Sequence, residues 1–302
     1  MARAIVAACW LSALLTSFGS APVLAEGLLS SARSEVRDSS SSSSKSSSSD
    51  DSHSDEDDDQ DSFLGSLLTS LFSNSSDCGC EDDHGSSFDG GAVFTVLASP
   101  WLIPRSILED KDDVLTMADF PYAENWDGYF VNQDPQPEWA KPWSGRFLAE
   151  SGSDFDGLQK HGGRLRLDSS SRWGLDTEWN FRRETLVSGH DTLWNGDANL
   201  VYRFAQSRRA AFYTGLGVNW LSDRFGGNSG FNFTYGADFY PADPWVISGS
   251  IDLGSLGHTS LFHGRATVGL MLNRLEVFTG YDYLKLGSTS LPSFVAGVQF
   301  HF

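Results

Sequence analysis

The chain has 302 residues, 40% of them hydrophobic, and a formal net charge of −19. The acidity is concentrated between residues 26 and 90, which hold 16 acidic and 3 basic residues. Nucleic acid is therefore excluded as an expected partner, because its phosphates repel such a chain. The 3 cysteines are too few for a disulfide framework.

Residues 1–25 have the features of a secretory signal peptide. Arg3 gives a positive start, an apolar run extends from Ile5 to Leu15, and Val23-Leu24-Ala25 is a small-residue cleavage site. The run is too short for a membrane-spanning helix of about 20 residues. We therefore expect an exported protein, and any membrane insertion would require a closed β-barrel.

Residues 26–62 are predicted to be a disordered Ser/Asp-rich arm. Between residues 36 and 62 nearly every side chain is Ser, Asp or Glu, so this stretch cannot bury enough apolar surface to offset the cost of ordering it. The run from Asp55 to Asp59 lacks the glycine turn and the spaced ligands of a calcium-binding loop. A solvated spacer is the expected role.

Residues 63–91 are predicted to hold a short amphipathic helix followed by a linker. Leucine and phenylalanine recur at helical spacing between residues 61 and 73. For Cys78 and Cys80 we expect a local or intermolecular disulfide in an oxidising compartment. A zinc site that adds His84 is the alternative, but its spacing matches no strong zinc pattern. No metal and no cofactor is predicted.

Residues 92–142 form a Pro/Trp-rich extension. Its prolines argue against long regular elements, whereas its aromatic side chains need burial. We expect an ordered segment that packs against or inside the following domain, or at its rim.

From residue 143 onward, turn residues separate segments of roughly ten residues in which apolar and polar side chains alternate. Trp173, Leu175 and Trp179 fall on one side, and Asp176 and Glu178 on the other. These segments predict a barrel of ten strands. Eight strands is the alternative, because the first two segments are the weakest. The predicted strands are 143–150, 161–168, 172–181, 192–204, 209–221, 230–240, 244–256, 259–271, 275–286 and 292–302.

Alternation alone is compatible with two kinds of barrel. In a soluble barrel the apolar side points inward, whereas in a membrane barrel it faces lipid and the polar side lines the lumen. Aromatic residues near the segment ends favour the membrane barrel. So do the alternating connection lengths, with 182–191 and 222–229 predicted as the longer loops.

The last segment, from Phe294 to Phe302, alternates strictly and ends on an aromatic ring. Residues 143–302 resemble the small bacterial outer-membrane barrels of the outer membrane protein A and X families. The resemblance implies an all-β, antiparallel up-and-down transmembrane barrel, with Phe302 and Phe300 recognised as the assembly signal. The implied partners are outer-membrane lipid, the barrel-assembly machinery and periplasmic chaperones.

The implied location is the bacterial outer membrane, with the N-terminal arm in the periplasm. A periplasmic partner of residues 26–90 is a hypothesis that rests only on this placement.

A lumen of eight to ten strands is just wide enough to be filled by side chains. We expect ion pairs to plug it, giving a structural barrel without catalysis. A narrow channel for small solutes, a lipid-modifying outer-membrane enzyme using residues such as Ser260 and His263, and a soluble secreted barrel are the alternatives. The charged residues predicted to face the lumen are Arg164, Arg166, Asp176, Glu178, Asp197, Arg203, Asp238, Asp252, His263, Arg265, Glu276 and Asp282.

Overall fold

The computed structural model describes residues 27–37, 90–110 and 114–302, and for residues 90–97 it describes the backbone only. The predictions for the signal peptide, the helix at 61–73 and Cys78/Cys80 lie outside the described residues.

Ten antiparallel strands form a closed barrel, which confirms the predicted fold class and strand number. Each strand pairs with its neighbours in sequence, and the last strand closes the barrel on the first through pairs such as Phe300 with Phe147. The strands are β3 (Trp143–Ser153), β4 (Leu158–Ser169), β5 (Trp173–Leu186), β6 (Gly189–Ser207), β7 (Ala210–Asp223), β8 (Gly226–Phe239), β9 (Trp245–Leu256), β10 (Thr259–Leu272), β11 (Leu275–Leu286) and β12 (Thr289–His301).

The outer face of the barrel is apolar and the inner face is polar. Leu200, Leu216 and Phe294 are each more than half exposed on the outside, whereas Asp282 and Arg182 are fully buried inside. A soluble protein does not cover its surface with large apolar side chains on every strand. The apolar side of the alternation therefore points outward, as in a membrane-spanning barrel, where apolar residues face lipid.

Two ends of the barrel can be defined by the turns they carry. The Phe302 end carries turns 170–172, 208–209, 240–244 and 273–274, and the opposite end carries turns 154–157, 187–188, 224–225, 257–258 and 287–288. The predicted longer loops at 182–191 and 222–229 are wrong. Polar residues there continue the strands to tight two-residue turns, because strand pairing satisfies their backbone groups whatever the side chain.

Helix α1 (Leu28–Arg37) lies across the end opposite Phe302. The prediction that residues 26–62 form one disordered segment is therefore wrong for this part. Leu29, Ala32 and Val36 share one helix face and are fully buried against leucines of the barrel wall. Burial against a preformed socket stabilises a helix whose own sequence is too short to fold alone.

The position of α1 also bears on the predicted location of the arm. The sequence placed both Phe302 and the arm on the periplasmic side. Residues 27–37 and Phe302 lie at opposite ends of the barrel, so the two cannot share one side of a membrane that the barrel spans.

Helix α2 (Gly90–Ile107) contains Pro100 and Pro104, which contradicts the expectation that prolines exclude long elements here. The helix continues past them because only the bonds of the proline nitrogens are lost, and Leu108 N still donates to Pro104 O at 3.0 Å. Trp101 packs edge-on against Phe233 on the outside of β8, with ring centroids 6.4 Å apart. Within the described ranges, no helix combines the length and the apolar character needed to cross a membrane.

Residues 114–142 close the Phe302 end. They form a two-stranded sheet, β1 (Thr116–Met117) with β2 (Phe130–Val131), and a 3-10 turn at Ala123–Asn125. Their core includes Tyr122 and Tyr129, which pack on residues at the strand ends such as Tyr240 and Val246. The Pro/Trp-rich extension thus lies at the rim of the barrel.

Candidate functional site: the lumen and its two caps

The charged residues predicted to face the lumen all lie on inward rows of the strands, and most form ion pairs with one another. Their positions follow from the period of two along each strand. All are buried except Arg164, whose side chain is 17% exposed. Several partners were not predicted, among them Arg146, Glu150, Lys160, Asp168 and Arg182.

One group of charges lies toward the α1 end and is centred on Asp282. The carboxylate accepts hydrogen bonds from Lys160 and, at 3.0 Å, from Arg182. Lys160 Nζ also lies 3.0 Å from Glu150, which forms a two-bond pair with Arg265. Every one of these side chains is buried. Buried charges are tolerated only when they are paired in this way.

His263 joins this group to the neighbouring strand. Its Nε2 lies 2.9 Å from Asp282 Oδ2 and its Nδ1 lies 3.1 Å from Asp252 Oδ2. Ser260 is exposed on the other face of β10, because residues three apart on a strand point in opposite directions. The two side chains therefore cannot form a nucleophile–base pair.

A second group of charges lies toward the Phe302 end. Arg164 binds Asp176 through two bonds of 2.7 and 2.6 Å, and Arg166 donates to Asp168 at 3.0 Å. The Arg166 guanidinium also stacks 3.6 Å from the ring centre of Tyr213. These contacts fix long side chains across the lumen and fill it.

The other predicted residues are paired as follows. Arg203 Nη1 lies 3.3 Å from Asp168, and Asp238 accepts a 2.5 Å bond from Arg146. Glu276 accepts a 2.9 Å bond from Gln299. Asp197 differs from these carboxylates, because its side chain accepts a hydrogen bond from a neutral group, the amide of Asn199, at 2.8 Å.

Helix α1 is held in its socket by buried polar contacts. Glu184 accepts hydrogen bonds from the backbone N–H groups of Leu28 and Leu29, at 2.7 and 3.0 Å. A carboxylate at a helix N-terminus satisfies donors that the helix cannot pair itself. Arg33 pairs with both Asp191, at 2.9 Å, and Asp223. The helix is thus positioned by charge as well as by its apolar face.

The cap at the Phe302 end is anchored in a similar manner. Arg172 pairs with Asp110 through two bonds of 2.7 Å, and the Tyr122 hydroxyl donates to Trp245 O at 2.7 Å. Burial raises the pKa of Tyr129 to about 12, so this phenol stays neutral and packs as an aromatic ring. The cap therefore covers the lumen with apolar groups.

The missed lumen residues carried a usable signal. Arg146 and Glu150 share the inward parity of β3, and Arg182 shares that of β5. Lys160 was missed because the second strand was predicted to begin one residue later. Nothing in the local sequence of α1 indicates its socket, since the leucines that form it come from seven different strands.

Comparisons with solved structures find similarity to bacterial outer-membrane proteins at low sequence identity. The chain is similar to the Yersinia pestis outer membrane protein Ail in a phospholipid bilayer nanodisc, with 15% identity over 54% of this chain and 100% of that one, and a TM-score of 0.33. It is similar to the N-terminal β-barrel domain of Pseudomonas aeruginosa OprF, with 15% identity, 53% and 97% coverage and a TM-score of 0.27. For Neisserial surface protein A the values are 12%, 53%, 96% and 0.25.

No protein-family model matches the chain, and no curated protein does. The similarities concern the barrel fold, and none assigns a role to a lumen residue.

Proposed function

We propose that the protein is a closed structural barrel of the bacterial outer membrane, without catalytic activity. The observation that carries this proposal is the lumen itself, which is filled by paired charges and covered by a cap at each end. A sealed barrel keeps the membrane impermeable while it holds the segments attached to its ends. An enzyme would instead need a free nucleophile or base open to substrate.

We further propose that the Phe302 end faces the periplasm, as the resemblance of the closing strand implies. The α1 end then faces the cell exterior. The alternative keeps the arm in the periplasm and reverses the barrel.

The narrow channel is the second candidate. A small cavity of about 30 Å³ lies in the lumen beside Arg146, Arg166 and Glu276. Such a cavity would be part of a conducting path if the caps moved aside.

Conductance in planar bilayers separates these two functions. We expect full-length folded protein to give current close to the background of the bare bilayer, while an open-lumen porin in the same bilayers gives regular steps. The amount of inserted protein is counted with a fluorescent label. Step currents that scale with the inserted barrel would overturn the closed barrel and support the channel.

A further inference from the structure

Three ligand-type side chains meet in the lumen, and in the described part of the chain the two carboxylates among them have no lysine or arginine within 4.0 Å. They are Asp197 on β6, Asp252 on β9 and His263 on β10, all buried, and one ligand atom from each lies within 4.8 Å of the others. We propose that these residues bind a divalent transition-metal ion of the zinc class. The inference does not depend on which end of the barrel faces the periplasm.

The first argument is charge. Among the residues that the structure describes, no lysine or arginine lies within 4.0 Å of either Asp197 or Asp252. Two carboxylates close together in a medium of low dielectric constant repel each other and need a compensating cation. His263 can supply at most one positive charge, and Asp282 shares that charge because it also contacts the imidazole. A divalent ion supplies the compensation that the protein lacks here.

The second argument is the orientation of the imidazole. His263 Nε2 lies 2.9 Å from Asp282 Oδ2, so a proton on Nε2 is donated to that carboxylate. Nδ1 then carries the lone pair and faces Asp252. In metal sites, a carboxylate that accepts a hydrogen bond from one ring nitrogen fixes the orientation of the histidine and makes the metal-binding nitrogen more basic.

The third argument is an unpartnered amide oxygen. Asn232 is fully buried, and its Oδ1 has no hydrogen-bond partner among the residues that the structure describes. Its Nδ2 lies 2.9 Å from Asn199 Oδ1 and 3.4 Å from Asp252 Oδ1, so the amide connects the two carboxylates through Asn199. Rotation of the amide by half a turn would turn its oxygen toward an ion bound between them, in exchange for the hydrogen bond to Asn199. Asn232 is therefore the candidate fourth ligand.

A neighbouring triad shows why the site is specific. Glu178, His263 and Asp282 also lie close enough to hold an ion. Lys160 Nζ already lies 3.8 Å from Glu178 and contacts Asp282, and Arg182 lies 3.0 Å from Asp282. A metal ion there would be repelled by cations in place, so the Asp197 side is favoured.

The ligand types define the class of ion. One imidazole with two carboxylates and an amide oxygen suits Zn²⁺ or Co²⁺, whereas Ca²⁺ and Mg²⁺ prefer oxygen ligands throughout. Thiolate ligands, which would select copper(I), are not part of this set.

The test uses full-length protein refolded in detergent with Zn²⁺ or Co²⁺, because the lumen is enclosed. After desalting, we expect about one ion per chain by mass spectrometry of the metal. Co²⁺ should give the visible spectrum of a four-coordinate site. Zn²⁺ should raise the unfolding midpoint, because it binds the folded state.

The variants Asp197→Asn and His263→Gln should each lose the bound ion and the Zn²⁺-dependent shift, while Glu178→Gln should keep both. Gel mobility without boiling checks that each variant is folded. The proposal is overturned if the natural chain, refolded with Zn²⁺, retains no metal. It is also overturned if Asp197→Asn retains as much metal as the natural chain, which would indicate adventitious binding, for example to the acidic residues 50–59.

Discussion

At the scale of single residues, the lumen is filled by pairs of buried charges. Lys160 is the clearest case, since its side chain is fully buried and its ammonium contacts Glu150 and Asp282. Removing one member of a buried pair leaves the other charged and unpaired, which costs more than the pair contributes when intact.

We expect Lys160→Met to lower the free energy of unfolding by about 3–5 kcal/mol, the usual cost of breaking a buried ion pair. Urea unfolding in lipid vesicles, followed by tryptophan fluorescence, measures this loss. The matched control is Lys285→Met, because Lys285 is exposed and should change stability by less than about 0.5 kcal/mol. Equal values for the two variants would contradict the pairing described for the lumen.

At the scale of elements, α1 closes the end of the barrel opposite Phe302. Its apolar face contacts the leucines of the socket, and its two arginines reach the carboxylate of Asp223. The two kinds of contact act together, because the Asp223 carboxylate would lose both of its arginine partners without the helix.

Cysteine labelling tests whether the helix stays seated. With Cys78 and Cys80 replaced by serine, the thiol introduced by Ala32→Cys should react with a maleimide far more slowly than that from Ser34→Cys, because Ala32 is buried and Ser34 is exposed. Adding Asp223→Asn should speed the slow reaction by about tenfold, since a charged hydrogen bond contributes about 1.5 kcal/mol or more. Equal rates at the two positions in the unaltered socket would show that α1 is not seated.

At the scale of the whole molecule, the two caps lie at opposite ends although both precede the barrel in the chain. Paired side chains fill the lumen between the two caps, so the described part of the barrel has a closed interior.

Labelling of intact cells with a membrane-impermeant maleimide gives the orientation. We expect Ser34→Cys, at the α1 end, to be labelled in intact cells, and Ser171→Cys, at the Phe302 end, only after the outer membrane is permeabilised. Both serines are exposed in the folded protein, so access to the reagent is the difference between them. The reverse pattern would place the arm in the periplasm, as the sequence alone suggested.

The sequence by itself determined that ten strands form the barrel and placed twelve charged side chains on its inner face, although it missed others such as Lys160 and Arg182. These properties follow from a period of two and from turn residues, both of which are local. Asp176 and Glu178, for example, could be assigned to the inner face without knowing any partner.

Only the tertiary structure decided which charges meet and what closes the ends. Asp282 contacts Lys160, which precedes it by more than a hundred residues in the sequence, because closing the sheet brings distant strands together. The socket of α1 likewise forms from leucines of separate strands, so a short Ser-rich segment that looks disordered alone becomes a helix there. Contacts of this kind depend on the register and curvature of the whole barrel, which no local pattern of residues encodes.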